Sequence, residues 1–188
     1  MRSILFSLGF LLMVSAVATA QNFRGLDKSP LDIAYYPDNF AHDREAGDEA
    51  IIKVIYSRPQ LNGREMFGGA KVPYGKVWRT GANEAAEIKV YQDVTIGGQK
   101  LPVGTYSLFT IPNENEWTVI FSSDLDYWGA YRYQEGNDVL RATASVRSLD
   151  SSVEAFTIQF TDGSEGEAVM RMAWDKTVAE LPIMMNNE

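Results

Sequence analysis

The sequence predicts an all-β protein, a single antiparallel β-sandwich of jelly-roll type carrying two long irregular loops. Three observations lead to that expectation. Apolar and polar residues alternate in segment after segment, as Phe156, Ile158 and Phe160 do against Thr157, Gln159 and Thr161. That period of two marks a strand with one face buried and one face wet. Turn residues recur at roughly ten-residue spacing, which suits short antiparallel strands. No segment after residue 20 carries a long helical period, and only short helical turns are expected, near residues 38–47 or 62–68.

The elements follow in chain order. Arg2, the apolar run over residues 4–17 and the sequence Ala18-Thr19-Ala20 read as a signal peptide cleaved after Ala20. The run is shorter than the roughly 20 residues of a membrane span, so export to the periplasm or the exterior is expected, with no membrane span. Residues 21–49 read as a lead-in and extension, and residues 50–188 as the sandwich. AIIKVIY (50–56) is apolar on both faces, as a central strand is, and EIKV (87–90) alternates. Gly97-Gly98 separates DVTI from QKLP as a two-residue hairpin turn. Pro112 to Asn115 separate GTYSLFTI from EWTVIFS. DVLRATASV, AFTIQFT and EAVMRMAWD each alternate, and DGSEG (162–166) separates the last two.

Two stretches break the pattern. Residues 57–83 are too rich in glycine and proline for strands, and residues 123–137 are dense in aromatic and charged side chains. Long loops on a rigid sheet scaffold are where binding groups usually sit.

Composition excludes several functions. The 188 residues carry a formal net charge of −8 and no basic run, so nucleic acid is not an expected partner. There is no cysteine, hence no disulfide, no thiol nucleophile and no thiolate metal site. A chain of this size buries roughly 70% of its unfolded surface and holds together without such a staple. The single histidine, His42, lies in a polar stretch and reads as a solvated loop residue, so neither a histidine-rich metal site nor a Ser-His-Asp triad is expected. No phosphate loop or dinucleotide fingerprint occurs, and no cofactor is expected.

YSRPQLNGREMFGG, VPYGKVWRTGANEA, LPVGTYSLFTIPNENEWTVIF and WGAYRY, in this order, resemble the family of exported bacterial proteins called domain of unknown function 2911. The resemblance covers about residues 50–183. It implies a single exported domain without an assigned role, and it carries no catalytic residues with it. Tyr56, Ser57, Arg58, Pro59, Gly63, Arg64, Trp78, Arg79, Gly81, Ala82 and Asn83 stand at its motif positions. Ala85-Ala86 stands where a small or hydroxyl residue is expected, which removes one hydroxyl ligand from the turn.

Three constellations could carry chemistry. Arg58, Arg64 and Arg79 share one loop with Glu65, Asn83 and Glu84, and guanidinium forks suit a carboxylate, phosphate or sulfate. The same arginines could instead satisfy loop carbonyls. Tyr127, Trp128 and Tyr131 in DYWGAYRY offer flat faces for sugar rings, or they cap the core. Asp124, Asp126, Asp162, Glu165 and Glu167 fit no twelve-residue calcium loop and read as surface. The leading expectation is therefore a non-catalytic module binding a glycan or small anion through loops 57–84 and 123–137. The alternatives are a hydrolase with Glu84 as acid or base and Asp124 or Asp126 as its partner, and a purely structural envelope-associated domain. Burial of the arginines separates these readings: pairing with backbone favours structure, and an open pocket favours a ligand.

Overall fold

A computed structural model describes residues 23–164 and 166–186. The expected signal peptide and its cleavage site lie outside the described residues, as does Glu165. Among the described residues there are nine strands: β1 (Leu31–Tyr36), β2 (Ile52–Ser57), β3 (Ala86–Val90), β4 (Val94–Ile96), β5 (Gln99–Leu101), β6 (Gly104–Ile111), β7 (Glu116–Ser122), β8 (Asp138–Asp162) and β9 (Glu167–Met185). They form one sheet in the order β1-β2-β3-β6-β7-β8-β9-β4-β5, antiparallel throughout. One α-helical turn, α1 (Phe40–Asp43), falls within the stretch 38–47 and a 3-10 turn spans Glu135–Asn137; residues 62–68 form no helix. No helix among the described residues is long and apolar enough to cross a membrane.

The sheet curls until its ends enclose a core. β8 runs for 25 residues, and its pairing with β9 shifts register between Ser148 and Thr157. Asp175, with φ 51, marks the matching irregularity on β9 and accepts the Ser152 hydroxyl at 2.7 Å. Such bulges bend a ribbon and let one strand serve two layers. The second half of β8 thereby lies against β2, although several strands separate them in the sheet order. The buried Tyr56 hydroxyl donates to the Ile158 carbonyl at 3.2 Å and accepts the Ile158 N–H at 3.0 Å. One side chain thus satisfies a strand edge that has no neighbouring strand there.

The core is continuous across both layers. Ile52, Val54, Ile88, Leu108, Trp117 and Val119 from one layer meet Phe156, Phe160, Met170 and Trp174 from the other, and all are nearly fully buried. Full burial of such side chains contributes ~1.5–3 kcal/mol each. β6 and β7 are buried on their second face too, since Phe109 and Ile120 are inaccessible. The 123–137 loop supplies that cover, with Tyr127 and Tyr133 rings 5.9 and 5.2 Å from Phe109.

Three boundaries differ from the sequence expectation. β1 lies inside the stretch read as a lead-in and adds an edge strand to the sheet. The segments DVLRATASV and AFTIQFT are halves of one strand, β8, whose polar middle continues through the bend as a two-stranded ribbon with β9. β9 continues past Trp174 to Met185, with Leu181, Ile183 and Met185 in the core.

Candidate functional site

The loop between β2 and β3 is held by the residues it sinks into the core. Leu61, Met66, Phe67, Val72 and Trp78 are all buried there. Trp78 stacks on Trp174 at 6.0 Å with the rings 12° apart, and meets Phe67 and Phe156 edge-on. Its backbone is pinned to β6 by the Trp78 N–H to the Thr110 carbonyl at 2.7 Å and the reciprocal bond at 2.9 Å. Aromatic contacts and paired backbone groups fix this point of the loop to the sheet.

After Trp78 the chain turns through left-handed backbone at Thr80 (φ 55) and Asn83 (φ 59). Asparagine tolerates that conformation; the β-branched Thr80 is the unusual one, because such residues rarely take positive φ. Thr80 is fully buried and its hydroxyl meets that of Thr110 at 3.2 Å, so surrounding packing holds it there. Between them Gly81 passes so close to β2 that a Cβ would sit 2.9 Å from the Ser57 carbonyl oxygen.

The turn meets the second loop directly. Ala85 N–H donates to the Tyr127 carbonyl at 2.8 Å, and Gly129 N–H donates to the Asn83 carbonyl at 2.9 Å. These bonds sort the aromatics of DYWGAYRY. Tyr127 and Tyr133 turn to Phe109, while Trp128 and Tyr131 remain 62% and 85% exposed. Tyr127 donates to Asp124 at 2.6 Å, which raises the phenol above its ordinary value. Tyr133 is pushed up to about 12, by burial first and then by its hydrogen bond to Asp138. Tyr131 lays its ring over Gly129, where a Cβ would come within 2.6 Å of it.

The three arginines part company. Arg58 donates from Nε to the Phe156 carbonyl at 3.1 Å, from Nη1 to Asp32 at 2.8 Å and from Nη2 to Thr157 at 2.7 Å. Arg64 donates to the carbonyls of Leu61 at 2.8 Å and Gln60 at 2.6 Å. Both therefore tie loop to sheet or loop to itself. The Arg79 carbonyl accepts the Ala86 N–H at 3.0 Å, but its side chain makes no hydrogen bond or ion pair among the described residues, and its Nε is buried without a partner. Burial pulls its pKa below the ordinary guanidinium value, partly opposed by Tyr131, and the group stays charged at neutral pH.

Arg79 lines a cavity of about 640 Å³ between the two loops, together with Arg64, Lys71, Lys76, Asn83 and Tyr131. Four cationic side chains line this space, and no carboxylate does so among the described residues. Lys71 and Lys76 were not singled out in the sequence, since they lie between structural residues without a motif of their own. Ser29 from the segment before β1 also reaches the cavity. Asp27 of that segment accepts the Ser29 N–H at 2.7 Å. That bond, and then the Asn83 amide, hold the Asp27 carboxyl below its usual range.

The loop carboxylates fall in two places. Asp124 is engaged by the Tyr127 hydroxyl and the Asn137 amide at 2.6 and 3.1 Å. Glu84 is exposed and lines a small depression with Asp126 and Glu87. No group of three acidic or histidine side chains suited to a metal occurs among the described residues. His42 is exposed and bonds to Asp43 at 2.6 Å.

Together these features define an antiparallel β-domain with a cationic cavity between two loops locked to each other. The chain belongs to the family described as Protein of unknown function (DUF2911), whose model matches residues 39–183. Comparison with curated proteins and with solved structures returned no match.

Proposed function

We propose that this chain is an exported, non-catalytic β-domain that binds a small anionic ligand in the cavity lined by Arg79. The observation that carries the reading is the buried Arg79 Nε, which has no acceptor among the described residues. A buried donor without a partner is costly, by ~1–3 kcal/mol, and protein charges of that kind mark sites more often than surface charges do. Arg64, Lys71 and Lys76 on the same cavity supply further positive potential, and no carboxylate lines it among the described residues. A planar guanidinium suits carboxylate, sulfate or phosphate oxygens.

Calorimetry with phosphate, sulfate and citrate on the wild type and on Arg79→Met tests the proposal. At least one anion is expected to bind the wild type below about 1 mM, with Arg79→Met weaker by about tenfold or more. No binding, or equal binding by both proteins, contradicts it. The leader over residues 1–20 supports export, and a secreted or periplasmic form beginning at Gln21 by mass spectrometry is the expected result. The hydrolase reading rests on Glu84 and Asp126 sharing one depression. Glu84, which does not line the Arg79 cavity, separates the two: Glu84→Gln leaves phosphate, sulfate and citrate binding in place in the binding reading and abolishes turnover in the other.

A further inference from the structure

A second cavity, of about 870 Å³, adjoins the first, and the two share Ser29 and Asn83. Their chemistry differs. The first is cationic; the second mixes charges, with Arg24 and Lys28 against Asp27 and Glu84, and is lined besides by the amide residues Gln60, Asn62 and Asn83 and by Trp128. Amides both donate and accept and carboxylates accept, which matches the hydroxyl rim of a sugar. An exposed indole offers a flat apolar face, which matches the C–H face of a sugar ring. Trp128 and Tyr131 stand three residues apart on one loop, one on each cavity. Their positions are set by the bond from Gly129 N–H to the Asn83 carbonyl at 2.9 Å. A small inorganic anion would use only the cationic half, and leave the amides and the indole without a role.

We infer that the ligand is an acidic oligosaccharide lying across both cavities. Its carboxylate or sulfate meets Arg79, and its neighbouring sugar ring rests on Trp128 with hydroxyls on Gln60, Asn62 and Glu84. The inference rests on the anion-binding reading above and specifies the ligand of that same site. Asn83 is the joint: its carbonyl holds the aromatic loop in place, and the residue lines both halves.

The test is calorimetry on the full mature chain with matched sets. One set is galacturonate, trigalacturonate and the methyl ester of trigalacturonate; the other is a chondroitin sulfate disaccharide, its tetrasaccharide and the desulfated tetrasaccharide. In at least one set the longer acidic ligand is expected to bind about tenfold or more tighter than the shorter one. Its neutralised or desulfated form is expected to bind at least about tenfold more weakly. Trp128→Ala, a change at an exposed position, is expected to remove the advantage of length. The inference is overturned if no set shows a length advantage, or if Trp128→Ala preserves it. Should phosphate or galacturonate bind through Arg79 without any length effect, the anion reading stands and this one falls. Should no anion bind at all, both fall.

Discussion

Arg58, Arg64 and Arg79 have one side chain and two kinds of environment, and that difference predicts different responses to the same substitution. Arg58→Met strips donors from Asp32, Thr157 and the Phe156 carbonyl at once. With a third of its side chain still exposed, the expected loss is about 1–3 kcal/mol in urea unfolding. Arg79→Met removes no protein hydrogen bond among the described residues and relieves a buried unpartnered donor. Its stability is expected to stay within about 1 kcal/mol of the wild type or to rise, although ligand binding is lost. A large loss for Arg79→Met would show that its charge is structural. The sequence made the residue types and their loop plain. It could not reveal direction, because two acceptors of Arg58 lie on β8, 98 and 99 positions away, and the third on β1, while those of Arg64 depend on the local path of the loop.

Elements rather than single residues decide how the two loops come together. Trp78 anchors one loop in the core and Phe109 anchors the other on the outer face of the sheet. The backbone bonds at Asn83 and Ala85 then join them. Gly81→Ala would drive a Cβ against the Ser57 backbone at 2.9 Å, where neither partner can yield cheaply. A thermal midpoint lowered by several degrees and weakened anion binding are expected together; an unchanged midpoint would show that the approach is not tight. At the seam between β2 and β8, Tyr56→Phe leaves both polar groups of Ile158 without a partner. Urea unfolding is expected to register a loss of about 1–3 kcal/mol, and a neutral result would mean that another group covers the edge. β3, β6, β7 and the β4–β5 hairpin were legible because their alternation and turn residues coincide. β8 was not, since the alternation of DVLRATASV and that of AFTIQFT are separated over Ser148 to Glu154, while the chain continues extended there through a bulge. In DYWGAYRY the inward pair is Tyr127 and Tyr133, a spacing set by the turn at Gly129 and not by any strand period.

At the scale of the whole molecule, one curled sheet holds its layers by a shared core, and ion pairs only trim its edges. Glu180 links the strands of the ribbon, accepting from Arg147 at 2.9 and 3.1 Å and from Arg171 at 3.1 Å. The Arg147 hydrogen bonds hold its carboxyl below the ordinary glutamate value. A depressed folded-state pKa stabilises the native state once the unfolded-state carboxyl is ionised, above about 4.3. That contribution is lost as the pH falls through the lower folded-state value. The stability difference between wild type and Glu180→Gln is therefore expected to be about 1 kcal/mol at neutral pH and to shrink on acidification below about pH 4. A difference that grows on acidification would contradict the assignment. The all-β class was readable at this scale from alternation and turns, because both are local. The curl that brings β2 against β8, and with it the cavity between the loops, follows from contacts distant in sequence. The direct test of the cavity's role is an arginine-detected ¹H–¹⁵N titration with citrate or with the tightest oligosaccharide found. The Nε–H signal of Arg79 is expected to shift, while those of Arg58 and Arg64, already donating to carbonyls, stay in place. Saturable binding that leaves the Arg79 signal unmoved, or that moves only the other two, would contradict it.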